Sequence, residues 1–173
     1  MNEDANIALP DFCQSMGDFD RAVVFLDPYA TEVSWSTVAT IAETGKIDCW
    51  ILFPLSAIAR MMPRQNEPNE QLSAHLNRVF GGQEFWQDFY RPSVQQLLPL
   101  FGDDTLLERT GGSALIAEQY KRRLQTVFHS VAPNSKTLRN SKGSPLFEFY
   151  FAASNPVGAP TAIRIANHLL ENW

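Results

Sequence analysis

Arg21-Ala-Val-Val-Phe-Leu-Asp27 is the stretch that decides the fold, because it is a nearly continuous apolar run that stops at an acidic residue. Such a run is typical of a strand buried on both faces in a parallel sheet. Ile47–Phe53 is a second run of this kind, and Ser34 and Gly45 supply the start and stop signals of a helix between the two. Residues 21–54 are therefore predicted to form a right-handed unit of two parallel strands joined by a helix.

Composition limits the classes of protein to which the chain can belong. Of its 173 residues 45% are hydrophobic and 12% are aromatic, which suffices for one domain with a sizeable core. The longest apolar stretch, Cys49–Pro54, is far shorter than the roughly 20 residues of a membrane-spanning helix. The acidic start Met1–Asp4 lacks the order of a secretory signal, so a cytoplasmic protein is expected. Cys13 and Cys49 are too few for a disulfide framework, and a net charge of −5 disfavours a stand-alone, non-specific nucleic-acid binder.

Helical periodicity dominates the middle of the chain. The apolar spacing predicts three helices, at Leu55–Met62, Asn69–Phe80 and Gln83–Tyr90. Two segments rich in turn-forming residues, Arg60–Glu70 and Gly102–Gly112, are predicted to be loops. The aromatic and methionine side chains of these helices are expected to fill the core.

The last third of the chain predicts a helix, a hairpin and a second helix. Ser113 is a candidate cap for a helix whose apolar face is formed by Ile116, Tyr120, Leu124 and Val127. Lys136–Asn140 and Leu146–Ala153 are predicted to be antiparallel strands joined by a five-residue loop, and a terminal helix is predicted from Pro160 to Trp173.

Taken together, these elements match the carboxyl-terminal half of a doubly wound α/β sheet, with helices on both faces. The chain is predicted to be one incomplete domain with a lead-in at 1–20, a βαβ core at 21–54, a helical and loop region at 55–112, and a helix, hairpin and terminal helix at 113–173. None of the glycines falls in a phosphate-binding or cofactor-binding loop pattern. If another chain supplies the missing half, the first strand is expected to have an uncovered edge that serves as a partner surface.

The strongest candidate site is Asp27-Pro28-Tyr29, because ligands in open α/β sheets bind at the carboxyl ends of the strands. A carboxylate there can accept a hydrogen bond from an amino group, the Pro28 carbonyl can accept another, and the Tyr29 ring offers a face on which a base can stack. These properties suit methylation of an exocyclic amine. The alternative is structural: Asp27 caps the following turn and Tyr29 packs on the sheet edge.

Three segments of the chain, Arg21–Tyr29, Ile47–Leu55 and Leu76–Gly81, together resemble the three-Cys-motif partner family. That family is similar in fold to S-adenosylmethionine-dependent methyltransferases, with Asp-Pro-Tyr in place of their catalytic Asp-Pro-Pro-Tyr. The resemblance implies a Rossmann-like domain in which Asp27, Pro28 and Tyr29 are catalytic. It also implies that Asp4 and Ala5 contact the adenine of the cofactor.

Several differences between this sequence and the family change the function that the resemblance would otherwise imply. The family's Phe-Ala-Gly-Pro-Gly cofactor loop is missing from this chain, one proline stands in place of two, and Ala30 and Ser56 stand where relatives often have glycine. We therefore expect a methyltransferase-like fragment that acts on a base amine and binds S-adenosylmethionine only when the missing half is supplied. One alternative is a non-catalytic partner of a three-Cys-motif protein, and another is a nonfunctional remnant.

A second candidate site is basic. Between Glu118 and Glu148 there is no acidic residue, and six positive charges occur there: Lys121, Arg122, Arg123, Lys136, Arg139 and Lys142. Such a cluster can bind phosphates of a nucleic acid, although solvated surface charges of this kind are common. Metal binding is not expected, because the three histidines are scattered and the Asp103-Asp104 pair supplies too few ligands.

Overall fold

The computed structural model of the protein describes residues 3–92 and 107–172. Their helices are α1 (Ala5–Ser15), α2 (Trp35–Glu43), α3 (Leu55–Met61), α4 (Glu70–Phe80), α5 (Ser113–Gln125) and α6 (Ala159–Asn172). Their strands are β1 (Ala22–Leu26), β2 (Ile47–Phe53), β3 (Tyr90–Pro92), β4 (Leu107–Arg109), β5 (Ser130–Val131), β6 (Lys136–Arg139) and β7 (Pro145–Ala153). Two 3-10 turns occupy Gln83–Phe85 and Gln87–Phe89.

The main sheet has β1 at one edge and β7 in its interior. β1 pairs with β2 in parallel, and β2 pairs with β7 in antiparallel orientation. β5 and β6 both pair antiparallel with the other edge of β7, so they run in the same direction as β1 and β2. β3 and β4 form a separate antiparallel pair. The predicted α/β class, with parallel strands and a terminal antiparallel hairpin, is confirmed.

Helices cover both faces of this sheet, as predicted. On one face, side chains of β2 form the larger core with residues of α2, α3, α4 and α5: Ile47, Cys49, Ile51 and Phe53 are all buried there. On the other face, α6 packs Ala159, Ala166 and Leu170 against Phe149 and Phe151 of β7. This smaller core reaches Trp50 but leaves β1 uncovered.

The prediction that β1 is buried on both faces is wrong. Val23 is 67% exposed and Phe25 is 56% exposed, whereas Leu26 is buried on the opposite face. The reason is that the smaller core does not extend over β1, which is the edge strand because among the described strands it pairs with β2 alone. The expected uncovered edge is therefore present.

The helix predicted at Gln83–Tyr90 is also wrong. Gly81 ends α4 in the left-handed region, with φ at 86°. Trp86 then interrupts helical geometry with φ at −134°, and its indole Nε1 donates to Asn77 Oδ1 at 2.7 Å. The tryptophan is thus held against α4, and only single 3-10 turns form on either side of it.

Three further boundaries differ from the sequence prediction. The lead-in contains α1, which begins after its cap Asp4 despite the internal Pro10. Leu107–Arg109 is a strand rather than part of a loop. Ser113 is the first helical residue of α5 and does not cap it, since Gly112 holds the cap position without a side-chain bond.

The Asp103-Asp104 pair and Trp173 lie outside the described residues. In residues 3–92 and 107–172 no helix is long and apolar enough to cross a membrane.

Candidate functional site

A groove of about 810 Å³ lies at the carboxyl end of β1, between that strand and α1. Asp27 and Pro28 line it from the sheet side, and Asp4 and Ala5 line it from the helix side. The structure therefore brings together residues that are 22 or more positions apart in sequence and that were predicted separately. We refer to this cavity as the β1 groove.

Asp27 follows the last residue of β1, and its side chain is exposed. Within the described part of the chain, no group donates a hydrogen bond to its carboxylate. The alternative role of turn cap is therefore not seen, and both carboxylate oxygens can accept hydrogen bonds from a ligand. Pro28, next to it, is half-buried and lines the same groove.

Tyr29 stands apart from this arrangement. Its side chain is 84% exposed, and it is not among the residues that line the β1 groove. The ring does not pack on the sheet edge, as the structural interpretation predicted. It also does not line the groove beside Asp27, as the interpretation of Tyr29 as a stacking surface for a base predicted. A base could stack on it only from the solvent side.

The turn after Tyr29 is built on a strained residue. Ala30 has φ at 59°, in the left-handed region where L side chains are disfavoured by about 1–2 kcal/mol. Glycine adopts this backbone conformation without strain, so it would suit this position. Ser56, the other position at which the sequence differs from the glycine of the resembled family, lies in α3 and has no positive φ.

Asp4 is the N-cap of α1. Its Oδ1 accepts hydrogen bonds from the backbone nitrogen of Asn6 at 2.9 Å and from Asn6 Nδ2 at 2.8 Å. The backbone bond, followed by the side-chain bond, lowers the pKa of this carboxyl. Asp4 is thus a structural residue through Oδ1, and Oδ2 is the oxygen that remains for a ligand.

Hydrogen bonds of residues outside the predicted site hold the loop that borders the groove. The loop after β1 presents the carbonyl of Glu32, which accepts from Asn6 Nδ2 at 2.8 Å and from Arg78 Nη2 at 2.9 Å. Thr31 is buried in the same loop, and its hydroxyl oxygen lies 3.0 Å from His75 Nδ1. Asn6 directly follows Asp4-Ala5, so its place in that motif is the signal that could have found it.

The β1 groove is acidic. Its charged lining consists of Glu3, Asp4, Asp27 and Glu32 with one cation, Arg78. A cavity lined mainly by carboxylates attracts cations and hydrogen-bond donors and repels phosphates. Its chemistry suits an amine or a sulfonium rather than a nucleic-acid backbone.

Arg123 was predicted to bind nucleic acid, but the structure turns it inward. Its guanidinium lies over the rings of Trp35 and Phe85, with its central carbon 4.2 Å and 3.4 Å from their centroids. Nε donates to the carbonyl of Phe80 at 3.0 Å, which satisfies the last turn of α4. Desolvation lowers the pKa of the group. Arg123 is therefore a packing residue.

The other predicted basic residues do not share one environment. On α5, Lys121 donates through Nζ to the carbonyl of Pro133, and Arg122 pairs with Glu118 at 3.3 Å. Arg139 donates through Nη1 to the carbonyl of Gly143 at 2.9 Å, across the turn that also holds the exposed Lys142. None of these side chains is among the residues that line the β1 groove.

Metal and disulfide chemistry find no support in the described ranges 3–92 and 107–172. They contain no group of three or more His, Cys, Asp and Glu residues that could hold a metal ion. Cys13 and Cys49 are free thiols, and burial raises the pKa of Cys49 to about 12. A thiol with this pKa stays protonated and unreactive in the folded protein.

Comparisons with known proteins found no matching family model, no matching curated protein and no matching solved structure. No known protein therefore indicates what the β1 groove binds. The features of this chain that bear on function are the chemistry of the β1 groove and the open edge beside it.

Proposed function

We propose that this chain forms part of a Rossmann-like, S-adenosylmethionine-dependent methyltransferase of the three-Cys-motif partner kind, and that residues 1–173 are inactive on their own because they carry no cofactor loop. One observation carries the proposal. Asp27-Pro28, which resembles the catalytic motif, and Asp4-Ala5, which resembles the adenine-contacting motif, line the same groove at the carboxyl end of an edge strand.

The expected substrate is the exocyclic amine of a nucleic-acid base. The carboxylate of Asp27 and the carbonyl of Pro28 would each accept one N–H of that amine, which fixes the direction of the nitrogen lone pair. The Asp27 carboxylate would stabilise the positive charge on an attacking amine nitrogen and would receive the proton that the nitrogen releases. Tyr29 would contribute only if the base stacks on its exposed ring.

The groove fits part of the cofactor. S-adenosylmethionine, when bound, supplies an electrophilic methyl group on a sulfonium, and the acidic lining of the β1 groove favours that positive charge. Oδ2 of Asp4 can accept from the adenine amino group, and Ala5 lies next to it. The one basic lining residue, Arg78, already donates to Glu32. The cofactor carboxylate would therefore need a cation from outside this lining.

Calorimetry with S-adenosylhomocysteine tests this function. We expect no measurable heat with the chain alone. A fusion that places the amino-terminal half of a three-Cys-motif partner protein ahead of Glu3 should bind, and should methylate an adenine- or cytosine-containing oligonucleotide. Asp27→Ala should abolish methyl transfer by the fusion while leaving cofactor binding unchanged. Micromolar binding by the chain alone would contradict the proposal.

A second function is favoured by a different observation, the open apolar edge of β1. Val23 and Phe25 are exposed there, in a strand whose outer backbone groups have no partner among the described strands. Edges of this kind pair readily with other chains. On this view the protein is a non-catalytic interaction module, for which a three-Cys-motif protein is the partner expected from the family resemblance. Co-purification that survives Asp27→Ala, with no methyl transfer by any fusion, would favour this function.

A further inference from the structure

The backbone of β1 presents hydrogen-bonding groups to the outside at alternate residues. The nitrogen of Ala22 donates to the carbonyl of Lys46 at 3.1 Å, so the polar groups of Ala22 point toward β2. Backbone direction alternates along a strand, so Val24 and Leu26 also face β2, while Val23 and Phe25 direct their N–H and C=O groups outward. Since no described strand pairs with this side of β1, its edge can accept another strand.

The side chains of these outward residues share one face of the sheet. Arg21, Val23, Phe25 and Asp27 follow one another at intervals of two, and all four are exposed. The edge thus carries an apolar centre with a positive charge at one end and a negative charge at the other. The β1 groove is lined by Phe25 and Asp27 as well as by Val24 and Leu26, so there is open space along the strand.

We propose that the edge of β1 is filled by a second copy of this chain, with the two β1 strands antiparallel and a twofold axis at Val24. In this register Arg21 lies opposite Asp27 of the second copy, and Asp27 lies opposite its Arg21. Val23 and Phe25 of one copy lie opposite Phe25 and Val23 of the other. The two strands would join two sheets into one, through an isologous interface.

Charge complementarity selects this register. A shift by two residues in one direction places Arg21 opposite Phe25, and a shift in the other direction places Asp27 opposite Val23. A shift by one residue pairs outward-facing backbone groups with groups that already face β2. Only pairing about Val24 satisfies both the backbone and the two charges. Arg21 remains available, since its Nη1 alone donates to the carbonyls of Asp18 and Asp20.

The proposal rests on the second function proposed above, but it places a second copy of this chain at the edge of β1 in place of a three-Cys-motif protein. Pairing would place two opposite-charge contacts and two apolar contacts at the interface, each contact being of the cross-strand kind that stabilises sheets. It would also close β1 to any other strand, so the dimer and a complex with a complementing polypeptide exclude each other.

Sedimentation equilibrium of the full chain, over micromolar concentrations, tests the proposal. We expect a dimer for the unmodified chain. Arg21→Asp or Asp27→Arg places like charges opposite each other at two symmetry-related positions, and each should weaken the dimer about tenfold. The double variant exchanges the charges and should restore the original dissociation constant. Lys142→Asp and Glu43→Arg, exposed reversals away from β1, are matched controls and should leave it unchanged.

Three outcomes would overturn the proposal: a monomer at all concentrations, a dimer that both single variants leave intact, or a double variant no tighter than the single ones. Circular dichroism of each variant confirms that it is folded. If the chain is monomeric but a three-Cys-motif protein binds it through β1, the interaction function stands and the second copy is the wrong occupant. Cofactor binding by the fusion is measured separately, so its failure bears only on the methyltransferase function.

Discussion

Asn6 of α1 is joined to Glu32 of the loop after β1 by a hydrogen bond of 2.8 Å from Nδ2 to the Glu32 carbonyl. The oxygen of the same side-chain amide, Asn6 Oδ1, accepts from the Ser34 nitrogen at 2.8 Å and from the Thr37 hydroxyl at 2.9 Å. Nδ2 also donates to Asp4, so both donors and both lone pairs of the amide are used. One side chain thus ties together both walls of the β1 groove and the start of α2.

Asn6→Ala should lower the free energy of unfolding by about 2–3 kcal/mol. The substitution removes these bonds and leaves the part-buried Ser34 nitrogen without its partner, which costs more than the loss of an exposed bond, while the Glu32 carbonyl keeps its bond from Arg78. Urea unfolding followed by circular dichroism measures the change. Gln14→Ala, an exposed substitution on the same helix, is the control and should change stability by less than about 0.5 kcal/mol. Equal stabilities of the two variants would contradict this account of the groove.

Ala30→Gly should stabilise the protein by about 0.5–1 kcal/mol. Ala30 has φ at 59°, and relief of that strain exceeds the entropy that glycine adds to the unfolded chain. Asn66, with φ at 61°, is a matched control, because asparagine tolerates this conformation and Asn66→Gly should gain less. Thermal unfolding of both variants checks the prediction. A lower melting temperature for Ala30→Gly would show that the turn does not adopt this backbone in solution.

Local signals in the sequence predicted most of the helices and strands correctly. Ser34 caps α2 through the Thr37 nitrogen at 3.3 Å, and Asn69 caps α4 through the Leu72 nitrogen at 2.9 Å. These motifs act over three residues, so the sequence displays them directly. Asp4 is a cap of the same kind, but Pro10 inside the following helix concealed α1, since proline normally ends a helix.

The sequence could not show features that depend on contacts between elements far apart in the chain. The apolar run of β1 predicts burial, yet the smaller core around α6 does not extend over Val23 and Phe25. The charge of Arg123 predicts a phosphate contact, yet Trp35, distant in sequence, lies against its guanidinium. The groove was predictable only as two separate motifs, because Asn6 is what joins α1 to the loop after β1.

Arg123→Ala should destabilise the protein by about 2 kcal/mol, whereas Arg122→Ala should change its stability by less than about 0.5 kcal/mol. Arg123 loses its stacking on two rings and its bond to the Phe80 carbonyl, while Arg122 loses only an exposed pair with Glu118. Urea unfolding compares the two adjacent arginines of α5. Similar losses for both would mean that Arg123 is a surface residue after all.

Stability should fall above about pH 9, partly because of Cys49. Its pKa is raised to about 12 by burial, and secondarily by the charge of Asp48, from 9.0 for an exposed thiol. Between these values the unfolded chain releases the thiol proton and the folded chain keeps it, so the unfolded state binds fewer protons and stability decreases as pH rises. The loss is about 1 kcal/mol per pH unit for this group. Urea midpoints at pH 8 and pH 10.5 should therefore differ less for Cys49→Ala than for the unmodified chain, and equal differences would rule out the buried thiol as a cause.

If a nucleic acid is the substrate, the turn between β6 and β7 is the basic surface that can hold it. β7 begins at Pro145, beyond the level at which Glu148 pairs with Phe53 at the carboxyl end of β2, so Arg139 and Lys142 extend past the edge of the sheet that also carries Asp27. Phosphates repelled by the β1 groove could be held there while a base reaches Asp27.

Lys142→Ala with Arg139→Ala should weaken binding of a labelled single-stranded oligonucleotide about tenfold at 50 mM salt and reduce its salt dependence. Arg122→Ala is the control and should leave binding unchanged, since that side chain is paired on α5. Binding that is as strong and as salt-dependent in the double variant would remove the turn between β6 and β7 from any nucleic-acid interface.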